Sequence, residues 1–126
     1  MFNPDKYLSV KWLKGGRVYP QLDCFGIVNE IRRDLGLVPW PEFAGVTKDD
    51  GGLDREARVL MTGLTRCQPV VGAGVACYSG SLVTHVAVVV ELGGVLHAAE
   101  CNRRTNVTFL PLARFEHRFV KVEYYQ

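Results

Sequence analysis

The hydrophobic period of this chain changes once, after Gln68, and that change limits the folds open to it. Beyond it, apolar residues come in short β-branched or aromatic runs, several of them separated by Gly and Asn. Runs at 75–78, 85–91, 95–99, 107–110 and 119–124 read as strands. In the last, Phe119, Lys121, Glu123 and Tyr125 alternate with Val120, Val122 and Tyr124, as in an antiparallel strand with one solvated face. Before Gln68 the spacing is helical. Residues 23–35 place Ile27, Val28, Ile31 and Leu35 on one face and Asn29, Glu30, Arg32, Arg33 and Asp34 on the other. Residues 54–62 form a second helix with Ala57, Leu60 and Met61 inward, and residues 5–13 a short first one with Tyr7, Leu8 and Trp12. Gly15-Gly16 breaks that first helix, and Gly36 with Pro39 ends the one over 23–35. Helices first and strands afterwards predict an α+β fold: a central antiparallel sheet of about five strands with N-terminal helices packed on it.

The 126 residues predict one domain, 1–126, with a real core. Residues 37–52 carry Pro39, Pro41, Gly45, Gly51 and Gly52 and read as irregular structure of a length that is often functional. Trp40 and Phe43 are expected to pin it down. A net charge of +2 is too small to imply nucleic acid. The longest fully apolar run, 86–90, is too short to span a bilayer. The chain opens Met-Phe-Asn-Pro-Asp-Lys, with no basic-then-apolar leader, so synthesis in the cytoplasm without a signal peptide is expected. The cysteines are Cys24, Cys67, Cys77 and Cys101. None has Cys-x-x-Cys spacing, which argues against a structural zinc site, and a disulfide framework is not expected without export. Cys77 and Cys101 read as small core residues in strands.

Asp23 is a good N-cap type, so Cys24 falls in the first turn of the helix over 23–35, beside unpaired N–H groups and the positive end of the dipole. That setting favours thiolate. The plain alternative is a buried structural cysteine. His85 opens one strand and His97 lies in the next, joined through Gly93-Gly94. A two-residue turn there would point the histidines to opposite faces. A three- or five-residue loop, or a bulge, would make them neighbours, and one of these is expected. Cys24, His85 and His97 then supply a nucleophile, its general base and an orienting group. The helix start adds the Cys24 N–H as an oxyanion donor. A zinc site on the same three side chains is conceivable, but further ligands are not evident. His117, between Glu116 and Arg118, reads as an ordinary surface histidine.

These residues resemble the NlpC family of papain-like cell-wall cysteine peptidases. Its Asp-Cys signature is matched by Asp23-Cys24-Phe25-Gly26-Ile27-Val28, preceded by Gly15-Gly16. Its histidine signature is matched by residues 84–90 and 95–98. The likeness spans roughly residues 7–110, and in detail the chain looks most like members carried by tailed bacteriophages. The resemblance implies a Cys24–His85–His97 triad without metal or organic cofactor. It implies hydrolysis of an amide in peptidoglycan stem peptides, typically between D-γ-glutamyl and a diamino acid. It also implies phage tail proteins as partners, with neither nucleic acid nor membrane, and a place in the virion tail or delivery to the cell wall. Trp12, Asp23, Arg17 and Ser81 are the candidate substrate-binding or oxyanion residues. Two positions differ from the family pattern. Trp12 stands where many members have a tyrosine, and Gly72-Ala73-Gly74-Val75 stands where the strand usually begins Gly-Asp. The readings that compete are a catalytically idle tail-assembly module on the same fold and a related amidase or acyltransferase.

Overall fold

Asp23 starts helix α1 (Cys24–Asp34) by capping it, its Oδ1 accepting the N–H groups of Phe25 and Gly26 at 3.0 and 2.8 Å. Two donors that the first turn leaves without helical partners are thereby satisfied. Ile27, Val28 and Ile31 point inward and are buried. Glycine is required where this helix meets the turn before it. A Cβ on Gly26 would overlap the Gly16 carbonyl oxygen, and one on Gly16 would overlap the Gln21 carbonyl. The same Gly16 carbonyl accepts the Asp23 N–H at 3.1 Å. The Gly15-Gly16 pair thus brings three short strands, β1 (Lys11–Trp12), β2 (Arg17–Val18) and β3 (Gln21–Leu22), against the start of α1. They form a small sheet of order β1-β3-β2, with β1 and β3 parallel.

This computed structural model describes residues 2–43, 45–49 and 51–126; Met1, Ala44 and Asp50, two of them in the 37–52 segment, lie outside. The first helix is shorter than its periodicity suggests. It is a 3₁₀ helix, Pro4–Ser9, capped by the Asn3 side chain. Trp12 belongs instead to β1, because long-range partners outweigh local helical spacing. Lys11 N–H donates to the Pro20 carbonyl and Trp12 N–H to Asn106 Oδ1, both at 2.9 Å.

Helix α2 (Gly52–Thr62) follows, and then the main sheet: β4 (Arg66–Cys67), β5 (Gly74–Ser79), β6 (Leu82–Leu92), β7 (Val95–Asn102), β8 (Asn106–Pro111) and β9 (Lys121–Tyr125), with a short helix α3 (Leu112–Glu116) before β9. The sheet has six strands in the order β4-β9-β5-β6-β7-β8, every neighbouring pair antiparallel. The expected five strands are all present, and β4 is the addition, a two-residue strand laid on β9. The architecture is α+β. No helix among the described residues is long and apolar enough to cross a membrane.

The core lies on both faces of the sheet, which is why 86–90 reads as one apolar run rather than an alternating one. Val86, Val88 and Val90 pack with α1 and α2, alongside Ala99 and Cys101. Ala87 and Val89 pack on the other face with Cys77, Ala98 and Phe115 of α3. Trp40 anchors the 37–51 segment. Its N–H donates to Asn29 Oδ1 at 2.9 Å, its carbonyl accepts from Asn29 Nδ2 at 2.7 Å, and its ring lies 4.0 Å from the Arg32 guanidinium. Phe43 stacks edge-on against Phe25, 5.6 Å between centroids.

The turn between β6 and β7 is the two-residue one. Gly93 and Gly94 take φ of 59° and 80°, the mirror-image geometry that glycine allows at both positions. It pairs Leu92 with Val95, Val90 with His97, and Val88 with Ala99.

Candidate active site

Cys24 is the first residue of α1 and only 3% exposed. Burial pushes its thiol up to about 11. The Lys48 ammonium, the Val86 N–H and Arg17 all pull it down, while the Asp23 carboxylate pushes it further up. The expected thiolate-favouring setting is therefore reversed. Removing a sulfur anion from water outweighs one helix terminus, whose effect is modest and confined to the first turn.

His85, at 4% exposure, stacks on Phe119 at 6.0 Å with an interplanar angle of 12°. Both ring nitrogens are engaged. Nε2 lies 2.9 Å from Glu100 Oε1, and Nδ1 lies 2.9 Å from Lys48 Nζ. Lys48 can only donate and an ionised carboxylate only accept, so the partners fix the tautomer: Nε2 carries the proton and Nδ1 the lone pair. Burial lowers the imidazole below its ordinary value, and the Lys48 charge acts in the same direction; the bond to Glu100 opposes both. His85 is thus a neutral imidazole at neutral pH.

Glu100, and not His97, is the side chain bonded to Nε2 of the His85 ring. Its side chain is fully buried in β7, with Arg118 and Asn102 as further donors. Burial alone would raise this carboxyl, but the bonds from His85, Arg118 and Asn102 outweigh it and hold it at about 2. The two-residue turn accounts for the exchange. His97 stands opposite Val90, away from His85, and its Nδ1 is 2.8 Å from the Val95 carbonyl of its own strand. The expectation that the two histidines are neighbours is corrected by this register. Glu100, two residues past Ala98 on the same face of β7, comes to His85 instead.

The candidate substrate and oxyanion residues divide. Trp12 and Asp23 line a cleft over Cys24 together with Lys14, Gly15, Thr47, Lys48 and Asp49. Arg17 is a strut rather than a free cation. It donates to Asp23 Oδ2 at 2.6 Å, to the Glu42 carbonyl at 2.7 Å and to the Val46 carbonyl at 2.9 Å. Ser81 sits exposed at the β5–β6 turn, where its carbonyl accepts from Arg58 of α2. It lies apart from the residues that line the cleft. The free space in the cleft is about 40 Å³. That admits a water or two, whereas ligand pockets run to several hundred cubic ångströms.

Glu100 and Lys48 escaped the sequence reading. Glu100 carried a usable signal, being a lone acid inside the apolar run His97-Ala98-Ala99-Glu100-Cys101. Lys48 carried none beyond lying in a long irregular segment. Among the described residues no three His, Cys, Asp or Glu side chains converge as a metal site. Chemically, an imidazole anchored at Nε2 and open at Nδ1 is what a general base requires, and here Lys48 fills the Nδ1 position. Compared with known proteins, the chain matches no family model and no curated protein.

Proposed function

We propose that the chain is a cysteine peptidase of papain-like, NlpC-type architecture, hydrolysing an amide in peptidoglycan stem peptides. Cys24 is the nucleophile, His85 the general base and Glu100 the positioning residue. The observation that carries this reading is His85: a buried neutral imidazole held at Nε2 by a carboxylate, with Nδ1 meeting a residue that lines the Cys24 cleft. In the reaction, Nδ1 takes the thiol proton and the sulfur attacks the carbonyl carbon. The Cys24 N–H, which the Asp23 cap does not use, receives the charge on oxygen, with Trp12 alongside. Nδ1 then protonates the leaving amine, and water releases the acyl group from sulfur. The substrate class rests on the resemblance, which also suggests a D-γ-glutamyl–diamino acid bond and delivery to the wall by a phage tail.

A second reading, an idle assembly module on the same fold, is favoured by the small cleft and the raised Cys24 thiol. Defined muropeptides incubated with the protein and weighed by mass spectrometry separate the two. The peptidase releases fragments heavier by one water in sum, and Cys24→Ala abolishes them with the melting temperature nearly unchanged. Intact muropeptides with both proteins would favour the module.

A further inference from the structure

We propose that residues 45–49 form an inhibitory strap that holds the candidate site closed, with Lys48 occupying the His85 nitrogen that Cys24 must use. The proposal rests on the Cys24–His85 reading above and concerns how that pair is controlled. Contacts from four successive residues tie the strap to the rest of the described protein. Arg17 donates to the Val46 carbonyl at 2.9 Å, the Thr47 carbonyl accepts the Leu53 N–H at 3.2 Å, Lys48 Nζ meets His85 Nδ1 at 2.9 Å, and Asp49 pairs with Lys14 at 2.5 Å.

The contacts differ in kind. The Arg17 and Leu53 bonds attach the strap to the protein at its base, next to the buried Arg17–Asp23 pair. The Lys14–Asp49 pair joins the strap to the β1–β2 turn across the mouth of the cleft, with both side chains more than half exposed. An ion pair that exposed is weak and screened by salt, so it behaves as a latch rather than a weld. Lys48 lies between. While its ammonium donates to Nδ1, the only free lone pair of the imidazole is used, and a thiol proton has nowhere to go. The same side chain, with Thr47 and Asp49, walls the cleft down to about 40 Å³, so the strap must lift before a peptide enters. Lifting 45–49 frees the base and opens the cleft in one movement.

The test measures the rate at which iodoacetamide alkylates Cys24, by peptide mapping at fixed pH. The buried Cys77 and Cys101 serve as internal reporters that the protein stays folded. Lys48→Met is expected to raise the Cys24 rate tenfold or more. Lys14→Ser with Asp49→Ser, both exposed, is expected to raise it severalfold at low salt. The wild-type rate is expected to climb with salt toward that of the double variant. An unchanged or slower Cys24 in Lys48→Met overturns the strap and makes Lys48 a supporting group. Adding His85→Gln to Lys48→Met tells the two readings apart. If the fast rate is lost, the freed imidazole was its source, as proposed. If it persists, the Cys24–His85 pairing is overturned and residues 45–49 are only a cover.

Discussion

Two partners of opposite charge hold the His85 ring, and they act on different nitrogens. Glu100 is the less replaceable, since its carboxylate accepts Nε2–H and so keeps the lone pair on Nδ1. An amide in its place can present N–H instead, which stabilises the wrong tautomer and leaves the half-exposed Arg118 with a weakened bond. Glu100→Gln should therefore lower turnover on muropeptides by about 10²-fold or more. His97→Gln should stay within about twofold, because its bond closes on its own strand and surface changes of that kind are nearly neutral. Comparable losses in the two variants, or a larger loss at His97, would restore His97 to the triad.

Among the elements, the start of α1 is the most tightly determined. Asp23 caps it, Arg17 ties the cap to the carbonyls of Glu42 and Val46, and Gly26 sits against the Gly16 carbonyl. Gly26→Ala forces a methyl into that carbonyl, where only backbone could yield. A cost of about 1–3 kcal/mol is expected, as for other overpacked sites. Thermal unfolding should show it as a lower midpoint, and a midpoint at or above wild type would mean that the helix can slide. The residues that made α1 legible in the sequence are these same ones: a cap type, a periodic apolar face and a terminal glycine all act locally. The strands were legible for the same reason, with ends off by a few residues. Trp12, β4 and Glu100 were not, because each is placed by something far along the chain. Trp12 is drawn into β1 by Asn106, β4 exists only where β9 supports it, and Glu100 meets His85 through hairpin register. The Cys24 thiol failed for a related reason. Its helix position is local, but its burial is a property of the assembled core.

For the whole molecule, the His85–Glu100 pair links folding to pH with one sign. Native His85 is held below its ordinary value of 6.5, chiefly by burial, so the unfolded chain takes up its proton first as the pH drops. Stability is lost as pH falls through that value. Glu100 is held at about 2 against an ordinary 4.5, so its contribution is complete above 4.5 and drains away between there and 2. The melting temperature should therefore decline continuously from neutral pH down to about pH 3, and His85→Gln should flatten the upper part of the decline. A midpoint that held steady or rose on acidification would contradict the burial of a neutral imidazole beside an ionised carboxylate.

The Gly93-Gly94 hairpin has a consequence reaching past this chain. Two histidines twelve places apart look like a matched set only while the ribbon between them is imagined with one particular bend. Shorten or lengthen that bend by a single unit, and a different side chain swings round to hold the imidazole. Moving the fold line alone can thus exchange a histidine for a glutamate beside the same imidazole, without altering either letter.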